Sequence, residues 1–161
     1  MSLINHRRRS ARWHGASQKV GQSAAPLFLD RIDIQCEISA LPFKELSKAA
    51  PGEPSAKIRE RVIAARALQT ARFKDVPGVH CNAQMTERMI HQYAEPDEQG
   101  LDLMRLAMER LSLSARAYSR ILKVARTIAD LAASPTVRPE HISEAITYRQ
   151  LDRSDWAERG L

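Results

Sequence analysis

One stretch decides the fold: SARAYSRILKVARTIADL, residues 114–131. Its apolar side chains recur at three- and four-residue spacing, which places them on one face of an α-helix. Ser114 is a favourable N-cap because its hydroxyl can accept a hydrogen bond from a backbone N–H of the first turn. The apolar positions are Tyr118, Ile121, Leu122, Ala125, Ile128 and Ala129. The pattern predicts a packed helix whose alanines allow a neighbour to approach closely.

The same predicted helix carries a row of positive charge. Arg116, Arg120 and Lys123 are spaced i, i+4 and i+7, so they share one side of the helix. Arg116 falls in the first turn, where the helix dipole disfavours a cation by about 0.3–1 kcal/mol. This placement indicates an anion nearby, because helix N-termini bind anions. The alternative is a solvated arginine without a ligand.

A second amphipathic helix is predicted towards the N-terminus, over SAKIRERVIAARALQTARF, residues 55–73. Ser55 is its predicted N-cap, and its arginines are assigned to the solvated face. The other side carries Ile58, Val62, Ala65 and Leu68. We expect these apolar positions to belong to the core.

Three further helical segments complete the predicted body. A short helix is capped by Asn82 or Thr86, another has Pro96 in an acidic first turn, and the last begins near Pro139. The apolar stripe of the helix after Pro96 comprises Leu101, Met104, Ala107, Met108 and Leu111. The apolar stripe of the helix after Pro139 comprises Ile142, Ala145, Ile146 and Leu151. The methionines are interpreted as core filling.

A single strand is predicted before these helices. The segment IDIQCEI, residues 32–38, alternates apolar and polar side chains, which is typical of a half-buried strand. The sequence therefore predicts a mainly α protein, a helical bundle with one N-terminal β-strand. Its 161 residues and 43% apolar content suit a domain of ordinary size.

Composition also narrows the class of protein. No run approaches eighteen apolar residues and no apolar segment follows the N-terminal arginines, so we expect neither a membrane span nor a secretory signal, and a cytoplasmic location. Cys36 and Cys81 lack the spacing of a zinc site and are interpreted as reduced thiols. His80 beside Cys81 has no further ligands at workable spacing, so no metal site is predicted.

The net charge of +6 is unevenly distributed. The first 20 residues hold five of the 25 basic residues and no acidic one, which leaves 20 basic against 19 acidic residues elsewhere. The basic arm HRRRSARWH, residues 6–14, could bind phosphates, with Trp13 as a stacking group. The alternative is a charged terminus without that role.

The sequence contains none of the common catalytic or nucleotide-binding motifs that we searched for. It contains no G-x-x-x-x-G-K-[ST] phosphate loop, no apolar strand ending in Asp-Glu to hold magnesium, no G-x-S-x-G and no H-E-x-x-H. We therefore expect that the isolated chain neither binds MgATP appreciably nor hydrolyses it.

Several blocks resemble a known family. They are LDRIDIQCEI, PFKEL, IRERVIAAR, HCNAQM, LSARAYSRILKVARTIADL and HISEAITYR. Their order and spacing, from about Pro26 to Trp156, resemble the C-terminal part of the magnesium-chelatase-like AAA+ ATPases, specifically the competence protein ComM (YifB) group. The resemblance implies a chain of three parts: a basic arm, residues 1–25, unrelated to the family; the last ATPase-core strand and a connection, residues 26–54; and a helical AAA+ lid, residues 55–161.

The resemblance also assigns two site residues. Arg31, in LDRIDI, matches an arginine finger that reaches the γ-phosphate bound by a neighbouring subunit. Arg116, in SARA, matches the sensor arginine that contacts the nucleotide from the lid, which would explain a cation in a first helical turn. Asp30 and Asp33 would hold the guanidinium of Arg31, or else form ordinary surface ion pairs.

What the resemblance implies for the complete protein is a hexameric ATPase that uses ATP and Mg²⁺ and remodels DNA as a branch-migration motor. This chain would supply arginines to that motor without being catalytic alone and without binding a cofactor of its own. The alternative is a helical DNA-binding or oligomerisation module that uses the basic arm. The nearly neutral body argues against dedicated DNA binding.

Overall fold

A computed structural model describes residues 32–36 and 51–149. Within these ranges the chain forms five α-helices and a short 3₁₀ helix. The α-helices are α1 (Ser55–Phe73), α2 (Glu87–Tyr93), α3 (Glu98–Arg110), α4 (Ala115–Leu131) and α5 (Pro139–Thr147), and the 3₁₀ helix is Asn82–Gln84. The prediction of a mainly α helical bundle is confirmed. None of the helices in these ranges is both long and apolar enough to cross a bilayer.

The predicted strand stays a prediction. Residues 32–36 have no regular secondary structure beyond a bend at Asp33, and the remaining residues of the predicted strand lie outside the described ranges. The β-type pairing present between described residues is one isolated parallel bridge, from Pro96 to Val137. This bridge ties the connection before α3 to the connection before α5.

The helix predicted to decide the fold is the centre of the bundle. Helices α1, α2 and α5 and the 3₁₀ helix all pack against α4, and α3 packs against α5. The core side chains of α4 are fully buried at Ile121, Leu122, Ala125 and Ala129. The small side chains of Ala117, Ala125 and Ala129 are all buried and let the neighbouring elements approach α4 closely, as the sequence predicted. Helix α4 is thus the central helix of the described bundle.

Local chemistry sets where the helices begin. Asp97 caps α3, because its Oδ1 accepts a hydrogen bond of 2.8 Å from the Gly100 N–H. The Nδ1 atom of the buried His141 accepts from the Arg138 N–H at 3.0 Å, which closes the first turn of α5 after the proline at its first position. A residue with φ of 46°, Ser112, separates α3 from α4. Helices α3 and α4 thus meet at this turn.

Helix α1 differs from its prediction. Its first ten residues are all exposed, and Ile58, Val62 and Leu68 are 43%, 46% and 43% exposed. Only Ala65 of the predicted stripe is buried, together with Gln69 and Phe73. For Ile58 and Val62 the physical reason is length, because among the described residues only the C-terminal half of α1 packs on the bundle. Leu68 lies in that half but at the edge of the buried face formed by Ala65, Gln69 and Phe73. The predicted N-cap is also wrong by one residue, since Ser55 is the first helical residue and Pro54 precedes it.

Helix α3 requires a smaller correction. Met104 and Ala107 are buried as predicted, and Met108 and Leu111 pack against the core from partly buried positions. Leu101, however, is 39% exposed. It lies in the first turn of α3, at the margin of the surface that packs on α5.

Candidate functional site

The candidate site lies at the N-terminal end of α4. The Ser114 Oγ accepts a hydrogen bond of 3.2 Å from the Ala117 N–H, so the predicted cap is confirmed. Arg116 is in the first turn of the helix and is exposed. This turn contains no acidic residue. The end of α4 therefore combines the positive pole of the helix dipole with a guanidinium, an arrangement suited to an anion.

The other two cations of the predicted row are Arg120 and Lys123. The Arg120 Nη1 lies 2.8 Å from Asp33 Oδ1, and the Lys123 Nζ donates to the Ala83 carbonyl at 3.1 Å. One face of α4 thus holds residue 33 and the 3₁₀ helix in place. Asp33 forms an ion pair with α4, which is the second of the two roles predicted for it.

Two further contacts attach residues 32–36 to the bundle. Arg149, just after α5, is 1% exposed and its Nη1 donates to the Ile32 carbonyl at 2.9 Å. The Gln35 N–H donates to the Tyr148 carbonyl at 2.9 Å. Together with the Asp33–Arg120 pair, these contacts place the segment across α4 and the end of α5.

Arg31, the predicted arginine finger, lies outside the described residues, as do Asp30 and the basic arm. Arg116 lies one helical turn before Arg120, whose side chain pairs with Asp33. Asp33 lies two residues after Arg31 in the chain.

Acidic residues flank the exposed start of α4. The Ser119 Oγ lies 2.9 Å from both carboxylate oxygens of Glu87, at the start of α2. Burial, and then the negative charges of Glu95 and Glu87, raise the pKa of the Tyr118 phenol. The Tyr118 phenol thus remains neutral at physiological pH, and the ring packs against the core from a partly buried position.

A buried ionic cluster lies towards the opposite end of α4. The Asp130 carboxylate is fully buried and accepts a bidentate pair from Arg72 of α1, with Nη1–Oδ2 and Nη2–Oδ1 distances of 2.8 and 2.6 Å. The Asn82 Nδ2 donates to the same carboxylate at 2.8 Å. Arg126, one turn earlier on α4, lies 2.9 Å from Asp130 Oδ1. One carboxylate therefore joins α1, α4 and the 3₁₀ helix.

Arg126 extends this cluster into the next connection. Its Nη1 donates to the Pro135 carbonyl at 3.0 Å and its Nη2 to the Ser134 carbonyl at 2.6 Å. The connection between α4 and α5 is thus fixed by a guanidinium that is itself 2% exposed. Desolvation lowers the pKa of Arg126, although the charge of Asp130 opposes that effect.

The surroundings of Asp130 lower the pKa of its carboxyl group. Burial alone would raise the pKa of the carboxyl, but the hydrogen bonds from Arg72 and Asn82 and the charges of Arg126 and Arg72 lower the pKa below its ordinary value. Asp130 is therefore ionised in the folded protein at neutral pH, and it neutralises part of the positive charge buried around it.

The sequence prediction missed this cluster. The arginines of α1, Arg72 among them, are predicted to lie on its solvated face, and Arg126 is not singled out by the sequence prediction. One signal was available: Arg126 and Asp130 are four residues apart within the apolar stripe of α4, next to Ala125 and Ala129. Charged residues inside such a stripe indicate buried partners.

His80 and Cys81, the adjacent pair considered as metal ligands, both contact the side chain of Gln84. The His80 N–H donates to Gln84 Oε1 at 2.8 Å, and the Cys81 Sγ lies 3.5 Å from the same atom. Cys36 and Cys81 are free thiols. Within residues 32–36 and 51–149, no three His, Cys, Asp or Glu side chains converge in a way that could hold a metal ion.

These features define a small helical bundle with an arginine at the exposed N-terminus of its central helix. A family model described as the C-terminal region of magnesium chelatase subunit ChlI matches residues 52–149. This range spans α1 to the end of the described chain and includes every helix of the bundle.

Curated relatives agree with that match. The chain is 39% identical over 127 residues to the uncharacterized protein YifB of Escherichia coli, which covers 78% of this chain and 24% of that protein. It is 36% identical over 127 residues to competence protein ComM of Haemophilus influenzae, with the same shares of 78% and 24%. It is 30% identical over 131 residues to an uncharacterized protein of Mycobacterium tuberculosis, covering 81% of this chain and 25% of that protein.

The chain belongs to the magnesium-chelatase-like family and matches its C-terminal region, within the group that includes YifB and ComM. It spans about a quarter of the length of the curated relatives it matches. The resemblance stated from the sequence blocks is thus confirmed.

Proposed function

We propose that this chain provides the helical lid of a magnesium-chelatase-like AAA+ ATPase and contributes two arginines to ATP hydrolysis. Arg116 contacts the phosphates of a nucleotide held by the same subunit. Arg31 acts in trans, on the γ-phosphate held by the neighbouring subunit of a hexameric ring. ATP is the substrate of the complete protein, which holds Mg²⁺ through residues outside this chain.

The observation that carries the proposal is the exposed guanidinium in the first turn of α4. The turn has no acidic residue, Ser114 caps it, and residues 114–116 are exposed. A triphosphate there would be stabilised by the dipole and by Arg116 together, which offsets the unfavourable placement of a cation at a helix start.

The chemistry suits arginine in both places. Phosphoryl transfer spreads negative charge over the γ-phosphate oxygens, and a guanidinium presents several N–H donors in a rigid plane to such oxygens. In GTPases an arginine supplied by another chain or domain is worth about 10³ to 10⁵ in rate. The work of Arg31 and Arg116 is therefore electrostatic stabilisation and positioning, and neither residue transfers a proton.

DNA is the proposed substrate of the motor as a whole. One relative is named a competence protein, and the resemblance described above associates its group with branch migration of DNA. The described part of this chain contributes no proposed DNA contact. A direct DNA-binding role for the arm, residues 1–25, is the second candidate, and a salt titration of DNA binding with and without those residues distinguishes the two.

The test is made in a complete relative whose C-terminal region is replaced by residues 26–161 of this chain. Arg116→Ala should lower ATP hydrolysis by at least about a hundredfold, the scale of losing a transition-state donor. Stability should change by only about 0.5 kcal/mol, because the residue is exposed. Arg138→Ala is the matched control, since Arg138 is also an exposed arginine at a helix start. Equal activity in both variants would refute the role of Arg116.

A further inference from the structure

Exposed apolar surface in the described structure is concentrated on two helices. Of the eight large apolar side chains that are exposed within residues 32–36 and 51–149, four lie on α1 and two on α3. They are Ile58, Val62, Ile63 and Leu68 on α1, and Leu101 and Leu106 on α3. Clustered exposed apolar side chains with polar neighbours are typical of interaction surfaces. Helices α1 and α3 are therefore the places at which a partner would meet apolar surface.

On α1, part of this apolar surface lies between positive charges. Arg59, Val62, Ile63 and Arg66 are spaced i, i+3, i+4 and i+7, so they form one continuous face of the helix, and all four are exposed. Helix α1 has five basic residues and one acidic residue. We call these four residues the α1 face. It presents two aliphatic side chains with an arginine one turn to either side.

On α3, an exposed leucine lies between negative charges. Asp102, Leu106 and Glu109 are spaced i, i+4 and i+7, share one side of the helix and are all exposed. From Glu95 to Glu109 the chain has five acidic residues and one basic residue, Arg105, which pairs with Asp102 at 2.8 Å. We call Asp102, Leu106 and Glu109 the α3 face.

The two faces match in spacing as well as in charge. The two arginines of the α1 face are seven residues apart, and so are the two carboxylates of the α3 face. Seven residues span about 10.5 Å along an α-helix. Two helices packed side by side can therefore place both arginines opposite both carboxylates, with the aliphatic side chains between them.

Within one molecule these two faces do not meet. Helix α1 packs on α4 and α3 packs on α5, and both faces are exposed in the same described chain. Complementary surfaces that lie apart on one molecule can meet between two copies. Such a contact is heterologous, so it repeats head to tail and closes into a ring where the rotation between copies permits.

We propose that the α1 face of one copy of this chain docks on the α3 face of a second copy. The opposite charges favour encounter and reject wrong partners, and the enclosed aliphatic side chains add affinity. The inference goes beyond the proposed function, because it requires neither a nucleotide nor Arg31 and Arg116. It assigns to the helical body itself a surface for self-assembly.

The first test is sedimentation of the full chain, residues 1–161, at increasing protein concentration. The average mass of the wild type should rise with concentration, and added salt should weaken the association, because exposed charges are screened. Arg59→Glu combined with Arg66→Glu should lower the association constant by at least about tenfold, since like charges then face each other. Arg88→Glu combined with Arg138→Glu is the matched control, with the same net charge and exposed sites on α2 and before α5.

The α3 face is tested in the same way. Asp102→Lys combined with Glu109→Lys should also lower the association constant by at least about tenfold. Asp75→Lys combined with Glu140→Lys is its control, because both side chains are exposed and lie outside the two faces. Circular dichroism of each variant shows whether the helices are retained.

Mixing the two reversed chains gives the decisive result. Every contact between an α1 face and an α3 face of different variants then again joins opposite charges. Association of the mixture should return to within about threefold of the wild type, although neither variant associates well alone.

Four outcomes would overturn the inference. The wild type stays monomeric at all concentrations, or the control variants lose association as strongly as the reversed ones. The chain with the reversed α3 face associates normally, which would mean that α1 binds itself or another segment. Finally, the two reversed chains stay apart when mixed. None of these measurements involves ATP, so they are independent of the tests of Arg116 and Arg31.

Discussion

At the scale of single residues, Asp130 is the most consequential side chain of the described structure. Its carboxylate is completely buried and receives hydrogen bonds from Arg72, Arg126 and Asn82, which come from three elements. Two guanidiniums depend on this one negative charge. Removing one member of such a group leaves an uncompensated buried charge, which costs more than the intact group contributes.

Asp130→Asn should therefore destabilise the chain by about 3–5 kcal/mol, because both arginines stay buried without a carboxylate. The measurement is urea unfolding followed by circular dichroism. Asp75→Asn is the control, since the Asp75 side chain is 85% exposed and lies 3.8 Å from Lys74, and it should change stability by less than about 0.5 kcal/mol. Similar values for the two variants would mean that the cluster contributes little.

The lowered pKa of Asp130 also predicts how stability depends on pH. The unfolded carboxyl has an ordinary pKa of about 3.9, and the folded one lies below it, so the unfolded state takes up the proton first. The contribution is complete above about pH 4 and is lost as the pH falls through the folded pKa. Unfolding free energies measured from pH 6 to pH 2 should fall more steeply in the wild type than in Asp130→Asn. Parallel curves would argue against a depressed pKa.

At the scale of elements, α1 has two halves with different surroundings. Its C-terminal half packs Ala65, Gln69 and Phe73 into the bundle, and the Phe73 ring meets the Tyr93 ring edge-on, with centroids 5.7 Å apart. Its N-terminal half contacts solvent along the continuation of the same stripe. The stability of the helix thus comes from its second half.

Phe73→Ala should cost about 3–5 kcal/mol, the range for deleting a buried aromatic side chain. Ile58→Ala on the same helix should cost no more than about 0.5 kcal/mol, since Ile58 is 43% exposed. Thermal or urea unfolding of the two variants makes the comparison. A large loss in Ile58→Ala would reveal that the N-terminal half of α1 is packed in solution.

The same helix illustrates how far sequence reasoning reaches. The period of the apolar residues predicted α4, its Ser114 cap and its core positions, because the helix is packed along its whole length. The period in α1 is equally regular, but periodicity does not reveal how much of a helix reaches its neighbours. The contacts of Arg72 and Arg149 could not be predicted because they depend on partners far away in the chain, Asp130 and Ile32 respectively.

At the scale of the whole molecule, the described bundle is built around α4. Within residues 32–36 and 51–149, the buried apolar side chains lie between Ala65 and Ile146. The charge excess, by contrast, is concentrated in the first 20 residues. Folding and any electrostatic role of the arm are therefore expected to be separable.

Removing residues 1–25 should leave a cooperative unfolding transition, with a melting temperature within a few degrees of that of the full chain. The reason is that every buried side chain described above, including the Asp130 cluster, is retained. Differential scanning calorimetry of the two chains provides the comparison. Loss of a cooperative transition in the shorter chain would show that the arm is part of the folding unit.

The most direct test of the central claim is a mixing experiment with the complete relative that carries residues 26–161 of this chain. Arg31→Ala subunits are mixed with subunits whose phosphate loop is inactivated, each being inactive alone. If Arg31 acts in trans, hybrid rings contain interfaces where an intact loop meets an intact arginine, and part of the ATP hydrolysis should return. If mixed rings demonstrably form and stay inactive, or if Arg31→Ala alone hydrolyses ATP normally, the proposed role of this chain is wrong.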